Sequence, residues 1–307
     1  MSATQVVAVV GATATGKSGL ALDLAERLDG EVVNADSMQL YRGMDIGTAK
    51  LPAAERRGVP HHLLDVLDVT EESTLAAYQS AARAAIADIR GRGHMPVLAG
   101  GSGLYVRAAL DELEIPPADP QVRARLEARS AAGEDDALRE ELRRVDPAAA
   151  EAIQDNNIRR IIRALEVVEI TGRPFSATAP TKTYVRPSVV IGLRDDWDAL
   201  TGRIERRVEQ MWADGLLDEV RYLESLGLRR GRTASRAIGY AQALGELDGE
   251  MTQAEAVAST QAATRRYARR QESWLRPDPR VQWLDAAAPD LLEQAVALVG
   301  AGDASRP

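Results

Sequence analysis

An α/β fold, a parallel sheet covered by helices and interrupted by an all-helical insertion, is predicted by three observations. Residues 1 to about 115 alternate short apolar runs with helical patterns, the signature of parallel strands joined by crossover helices. The first run, Val6 to Val10, leads into Gly11-Ala12-Thr13-Ala14-Thr15-Gly16-Lys17-Ser18 and then into a helical pattern. That is the G-x-x-x-x-G-K-[ST] phosphate-binding loop in its required strand–loop–helix setting. From Gln121 to Thr171 the pattern is helical only, between proline-rich breaks. The expected architecture is a P-loop NTPase-like core in two parts, 1–116 and 185–307, around a helical insertion at 117–184.

Each element has its own signal. Val6-Val7-Ala8-Val9-Val10 reads as a buried first strand, and Leu20, Ala21, Leu24, Ala25 and Leu28 recur at helical spacing behind the loop. Glu31 to Ala35 reads as a second strand ending at Asp36, and His61 to Val66 as a third. Leu75 to Arg90 is an amphipathic helix. Pro96 to Ala99 is a fourth strand that runs into Gly100-Gly101-Ser102-Gly103. Pro116-Pro117 and Asp119-Pro120 break the alternation, and Asp135 to Val145 and Asn157 to Thr171 are the clearest helices of the insertion. Pro174, Pro180 and Pro187 mark the return to an apolar strand, Ser188 to Leu193. Long helices are expected at about 198–226 and 252–275, then a short strand at Val281 to Leu284 and a frayed tail from Gly300. Ligands of open parallel sheets collect at the carboxyl ends of the strands. Gly11–Ser18, Asp36 and Ser102 all fall there.

Composition narrows the function. The 307 residues include no cysteine, which excludes disulfides, thiolate chemistry and Cys-ligated zinc and suits a reducing cytoplasm. The apolar run before Gly11 is only five residues long, so neither a signal peptide nor a membrane span is expected. A net charge of −8 argues against a uniformly basic nucleic-acid binder. Lysine occurs only at Lys17, Lys50 and Lys182, so the positive charge is nearly all arginine. Arginines cluster at Arg159-Arg160 with Arg163, at Arg229-Arg230 with Arg232 and Arg236, and at Arg265-Arg266 with Arg269, Arg270 and Arg276. Such patches suit a folded RNA partner, and equally suit a solvated helix face.

The phosphate loop works through identifiable groups. Glycines let the backbone wrap a phosphate, successive N–H groups and the helix N-terminus donate to its oxygens, and Lys17 supplies a point charge. Ser18 can place its hydroxyl on Mg²⁺. A GTPase would carry N-K-x-D, and no Asn-Lys pair occurs. A motor or ring ATPase would show a longer apolar strand ending in Asp, for which Leu63-Leu64-Asp65 is a weak candidate. An ATP-dependent small-molecule kinase, which also pairs a P-loop with a helical lid, stays open on these grounds.

Further motifs follow in order. They are Asn34-Ala35-Asp36-Ser37-Met38-Gln39-Leu40-Tyr41, Met44-Asp45-Ile46-Gly47-Thr48-Ala49-Lys50, Pro60-His61-His62-Leu63-Leu64-Asp65 and Gly100-Gly101-Ser102-Gly103-Leu104-Tyr105. Ser235-Arg236-Ala237-Ile238-Gly239-Tyr240 and Thr264-Arg265-Arg266-Tyr267-Ala268-Arg269-Arg270-Gln271 complete the set. Together they closely resemble the bacterial tRNA dimethylallyltransferases, from about residue 6 to 285. The resemblance implies transfer of a dimethylallyl group from its diphosphate to N6 of adenosine-37, beside the tRNA anticodon, by a cytoplasmic monomer. On that likeness Gly11, Ala12, Thr13, Ala14, Thr15, Gly16, Lys17 and Ser18 hold the donor's diphosphate, with Mg²⁺ on Ser18. Asp36 matches the base, and Arg236 and Ser102 complete the catalytic set. Asp36, Ser37, Met38, Gln39, Ser102, Arg123, Arg159, Arg160 and Arg163 match tRNA-facing positions. Ser102 departs from the family's usual threonine, keeping the hydroxyl and losing a methyl. An adenylate isopentenyltransferase, with the same donor and a free nucleotide acceptor, is the nearest alternative; the long insertion and the arginines favour tRNA. A purely RNA-binding protein would not need Lys17, Ser18 and Asp36 together. Asp36 as a simple turn cap competes with its role as base. His61, His62 and His94 read as hydrogen-bonding residues, and most of Trp197, Trp212, Trp274 and Trp283 as core, though each could stack on a base.

Overall fold

The computed structural model describes residues 5–178 and 182–304, in two compact units, Met1–Leu110 with Tyr184–Pro307 and Asp111–Thr183. The first unit opens with β1 (Val6–Gly11), α1 (Lys17–Arg27), β2 (Gly30–Asn34), β3 (His61–His62), α2 (Leu75–Gly91), β4 (Met95–Gly100) and α3 (Gly103–Leu110). The second unit holds α4 (Pro120–Ala131), α5 (Asp135–Val145), α6 (Pro147–Ala152) and α7 (Ile158–Thr171). The first unit resumes with β5 (Ser188–Arg194), α8 (Trp197–Ala213), α9 (Leu216–Ser225), α10 (Tyr240–Leu247), α11 (Gln253–Leu275), β6 (Val281–Asp285) and α12 (Leu291–Ala304).

Six strands pair in the order β3-β2-β4-β1-β5-β6, every pair parallel. A parallel sheet needs cover on both faces, and β1 at its centre has Val6 to Val10 all at 0% exposure. On one face Val7, Val9, Val97 and Ile191 pack against Leu20 and Leu24 of α1 and Val299 of α12. Each such side chain contributes about 1.5–3 kcal/mol by leaving water. The chain leaves β4 on one side of β1 and returns as β5 on the other. The loops after β1, β2 and β4 therefore open into one crevice at the switch point, where ligands of such sheets bind.

Three elements differ from expectation. The third strand pairs only through His61 and His62, opposite Val32 and Val33. Leu63 and Asp65 have φ of +61° and +57°, a left-handed backbone that cannot continue a strand. The helix expected over about 198–226 is two, α8 and α9, separated by Gly215 at φ +95°. Val208, Trp212, Leu216, Val220 and Leu223 still bury in one cluster, so the apolar periodicity runs through the break. The chain from Gly300 is helical to Ala304 rather than frayed, with Ala295 and Val299 buried; residues 305–307, like Pro180, lie outside the described residues.

The helical unit is built on its caps. Asp119 accepts from Gln121 N–H at 2.8 Å ahead of Pro120, Asp146 accepts from Ala149 N–H at 3.0 Å, and Asn157 accepts from Arg160 N–H at 3.3 Å. Leu126, Leu138, Leu142, Ile161, Ile162 and Leu165 form its core. Glu166 is fully buried beside that core. It accepts from Asp119 N–H at 3.0 Å, from Arg163 at 2.8 Å and from Arg123. Burial pushes its carboxyl up, but the two guanidiniums and the amide outweigh burial and hold it below the usual carboxylate range.

Candidate active site

The site forms where β1, β2 and β4 end. In the loop after β1, Thr15 Oγ1 donates to the Ala12 carbonyl at 2.8 Å and Lys17 Nζ donates to the same carbonyl at 2.5 Å. Gly16, at φ +86°, ends the loop and caps α1, so backbone N–H groups and the helix N-terminus face the same space as Lys17. Two distant helices clamp this loop. Gln271 on α11 accepts from Thr13 N–H at 2.8 Å, and Arg203 on α8 donates to the Ala14 carbonyl at 3.0 Å. Lys17 is half-buried, and burial lowers its pKa to about 8 against the attraction of Asp36.

Asp36 is set by its neighbours. Buried Asn34 accepts from Asp36 N–H at 2.9 Å and donates both to the Asp36 carbonyl at 2.9 Å and to the Leu63 carbonyl at 3.0 Å. The Asp36 carboxylate accepts from Met38 N–H at 2.9 Å, so it does cap its turn. Its pKa is nevertheless raised, because burial outweighs that amide and the Lys17 charge. A carboxylate with raised basicity beside a phosphate loop is a candidate proton acceptor.

Two cavities meet at this carboxylate. The first, about 240 Å³, is lined by Gly16, Lys17, Ser18, Asp36, Gln39 and Arg207 among others. The second, about 290 Å³, shares Asp36 and Arg207 and adds Ser37, Met38, Arg236 and Tyr267. Ile204, Val208, Met211 and Ile238 give it an apolar side, and Thr260, Thr264 and Arg270 also line it. Arg207 and Arg236 form no ion pair among the described residues, which leaves both guanidiniums for a ligand. Ser102 lines a third cavity that shares Ser37 and Tyr267 with the second. Its Oγ is buried beside the Tyr267 phenol.

The roof over the first two cavities comes from the loop after β2. Lys50, buried, bonds Asp45 at 2.7 Å, Asp65 at 2.6 Å and the Tyr41 carbonyl at 2.8 Å. Glu219 on α9 accepts from the N–H groups of Asp45 at 3.1 Å, Ile46 at 2.8 Å and Gly47 at 3.4 Å, and from the Tyr240 hydroxyl at 2.5 Å. Gly47 is required there, since a Cβ would lie 2.4 Å from the Tyr240 ring. This one carboxylate ties the segment ending at Gly47, a cavity-lining residue, to Tyr240, which follows Arg236 in the chain.

The expected site residues divide cleanly. Gly11 to Ser18, Asp36, Ser37, Met38, Gln39, Ser102 and Arg236 line these three connected cavities or form the loop beneath them. Arg123 and Arg163 are committed inside the helical unit to Glu166, and Arg163 also donates to the Pro116 and Pro117 carbonyls at 2.7 and 3.0 Å. Arg159 and Arg160 are exposed, with no ion pair among the described residues. Arg207, Arg203 and Glu219 carried no local signal, because each sits in an ordinary amphipathic helix. Gln271 lay within a recognised motif, but nothing local tied it to Thr13. The histidines hydrogen-bond: His62 Nε2 lies 2.6 Å from Glu31, whose carboxyl Arg92 holds down at about 2, and His61 Nδ1 lies 2.9 Å from the Val59 carbonyl. Among the described residues no cluster of three or more His, Cys, Asp or Glu is placed to hold a metal.

Fold and site together define a P-loop protein that sets a basic carboxylate between an anion-binding loop and an apolar chamber. The sequence pattern of the IPP transferases matches residues 39–278, and the chain belongs to that family. It is 58% identical to the tRNA dimethylallyltransferase of Nocardioides sp. over 299 residues, 97% of this chain and 96% of that one. It is 60% identical to the tRNA dimethylallyltransferase of Thermobifida fusca over 299 residues, 96% and 94% of the two chains. Among solved structures, the Bacillus halodurans tRNA isopentenylpyrophosphate transferase superposes with a TM-score of 0.73 at 41% identity, covering 98% of this chain and 97% of that one. A eukaryotic dimethylallyltransferase acting on tRNA superposes with a TM-score of 0.86 at 27% identity, covering 99% and 80%.

Proposed function

We infer that the protein is a tRNA dimethylallyltransferase, which moves a dimethylallyl group from dimethylallyl diphosphate to N6 of adenosine-37 and releases diphosphate. The observation that carries the chemistry is Asp36, with raised pKa, at the junction of the P-loop cavity and the apolar chamber. The adenine amine is a poor nucleophile because its lone pair is delocalised into the ring. As N6 bonds to the allylic carbon, the carbon–oxygen bond breaks and its electron pair leaves with the diphosphate. The N6 proton passes to the Asp36 carboxylate. Lys17, the loop amides and Arg207 meet the charge that grows on the leaving group. Ile204, Val208, Met211 and Ile238 offer the hydrocarbon a dry wall and exclude the water that would hydrolyse the donor.

Mg²⁺ fits this arrangement. The Ser18 hydroxyl lines the diphosphate cavity and has no partner among the described residues, and Mg²⁺ takes few protein ligands beside phosphate oxygens and water. Bound there, it would supply further charge stabilisation for the diphosphate. Arg159 and Arg160 at the start of α7, with Arg144 on α5, are exposed arginines of the helical unit without an ion pair among the described residues, which suits them to RNA phosphates. The reading includes a cytoplasmic monomer, since the tRNA acceptor is a cytoplasmic partner. Among the described residues no helix is long and apolar enough to cross a membrane. The test is incubation with labelled dimethylallyl diphosphate and tRNA, AMP or ATP in separate reactions. Label should enter tRNA only. Transfer to AMP would make the protein an adenylate isopentenyltransferase, and no transfer to either acceptor would end the prenyltransferase reading.

A further inference from the structure

Five large apolar side chains are exposed among the described residues, and two of them, Leu104 and Trp274, line one cavity of about 350 Å³. Trp274 is 51% exposed, and its indole N–H has no hydrogen-bond partner among the described residues. One side of the indole lies toward Gly103 at the start of α3, and the rest is open to the cavity and solvent. Ser37, Tyr267 and Arg270 line both this cavity and the reaction chamber, so the two are continuous. Tyr267, Arg270 and Trp274 stand on α11 at i, i+3 and i+7, one stripe along a helix face. Arg270 lies 5.8 Å from the Tyr267 ring centroid and forms no ion pair among the described residues. The buried Ser102 hydroxyl, beside the Tyr267 phenol, adds a polar group at the shared end.

We propose that this cavity is a subsite for the nucleobase next to the target adenosine, which stacks on the Trp274 indole while Arg270 faces the connecting phosphate. The proposal rests on the reading of the protein as an RNA-adenosine alkylating enzyme. A base drawn out of its stack leaves its neighbours with an exposed face. An aromatic ring at the mouth of the chamber replaces that lost partner, and it does so for any base, since every base has a π-face. Arg270 suits the phosphate because its guanidinium has no ion-pair partner among the described residues and is always charged.

The test measures anisotropy of a labelled anticodon stem-loop, intact or with an abasic nucleotide on one or the other side of the target adenosine. Trp274→Ala should weaken binding of the intact loop about tenfold or more, the range of one base–aromatic stack. Trp274→Phe should keep most of the affinity. One of the two abasic loops should bind the parent protein more weakly by a similar factor, and on that loop Trp274→Ala should make no further difference. Donor binding to Trp274→Ala, unchanged from the parent, checks the fold. Parent-like binding by Trp274→Ala, or a loss that persists in full on both abasic loops, would overturn the subsite. If the parent protein alkylates no stem-loop, the functional reading fails and the subsite with it. Normal alkylation with an indifferent Trp274 sinks the subsite alone.

Discussion

Donor binding should take up a proton at Lys17. Burial holds that ammonium at about 8, against 10.5 for an ordinary lysine, in spite of the nearby Asp36 carboxylate. A diphosphate against Nζ supplies the missing counter-charge and raises the value, so binding above about pH 8 draws a proton from solvent. The sign follows directly. Near pH 7 Lys17 is already charged in the free protein and the donor has passed its last ionisation, so affinity changes little with pH there. Above about pH 8, Kd rises about tenfold per pH unit until the raised value of the complex is reached. At pH 9 about one Lys17 in eleven is charged, so affinity should fall about tenfold from pH 7, or about 1.4 kcal/mol. The donor's own last ionisation, near pH 6 for a phosphate ester, lies about two units lower and does not interfere. Calorimetry with dimethylallyl diphosphate, in two buffers of different ionisation heat, counts the protons. Uptake should be close to zero at pH 7 and about 0.9 at pH 9. Lys17→Ala should bind more weakly and show no uptake. A constant Kd from pH 7 to 9, or equal uptake by Lys17→Ala, would refute the argument.

Other residues give sharper contrasts. Asp36→Asn keeps the shape and loses the basicity, so the single-turnover rate at saturating tRNA should drop by about 10² or more with RNA affinity kept; a binding defect with a normal chemical step would make Asp36 a recognition residue. In the parent protein that rate should fall as pH drops through the raised Asp36 pKa, because the protonated carboxyl cannot accept the N6 proton. Glu219→Ala strands three backbone N–H groups and the buried Tyr240 hydroxyl, and should cost about 2–3 kcal/mol in denaturant unfolding; parent-like stability would show that water or another acceptor replaces it. Arg159→Gln with Arg160→Gln should flatten the log–log salt dependence of tRNA binding by about 0.7–0.9 per lost phosphate contact without changing stability. Arg163→Gln should also destabilise the protein, because it leaves Glu166 buried with one guanidinium fewer. Identical melting of the double variant and Arg163→Gln would contradict that division.

The frame of this protein follows from patterns local to each element. A valine run, a glycine loop ending in Lys17-Ser18 and a helical period behind it are local signals, since each rests on neighbours within one strand, one turn or one helix face. Caps at Asp119, Asp146 and Asn157 are equally local, and α5 begins and ends at the residues its pattern marks. The third strand failed because His61 to Val66 is apolar enough for a strand, while the backbone bends at Leu63 and Asp65 to meet Asn34 and Lys50 from elsewhere in the chain. The single helix over 198–226 failed because periodicity does not register one glycine at positive φ when both halves bury in the same cluster.

Which charges are free depends on contacts between elements distant in the chain. Arg123, Arg163, Arg159 and Arg160 look alike in sequence, yet two neutralise a buried glutamate and two face solvent. Arg207 is one arginine among several on α8, and only the folded chain sets it beside Asp36 and the phosphate loop. Gln271 and Thr13 are 258 residues apart and meet at 2.8 Å. Of four tryptophans, Trp212 is buried with its indole bonded to Glu246, and Trp274 stands open at the chamber's mouth. Sequence spacing fixes which groups share an element. Desolvation and pairing depend on what the rest of the chain brings against that element, and those two quantities set pKa values and leave a charge available to a ligand.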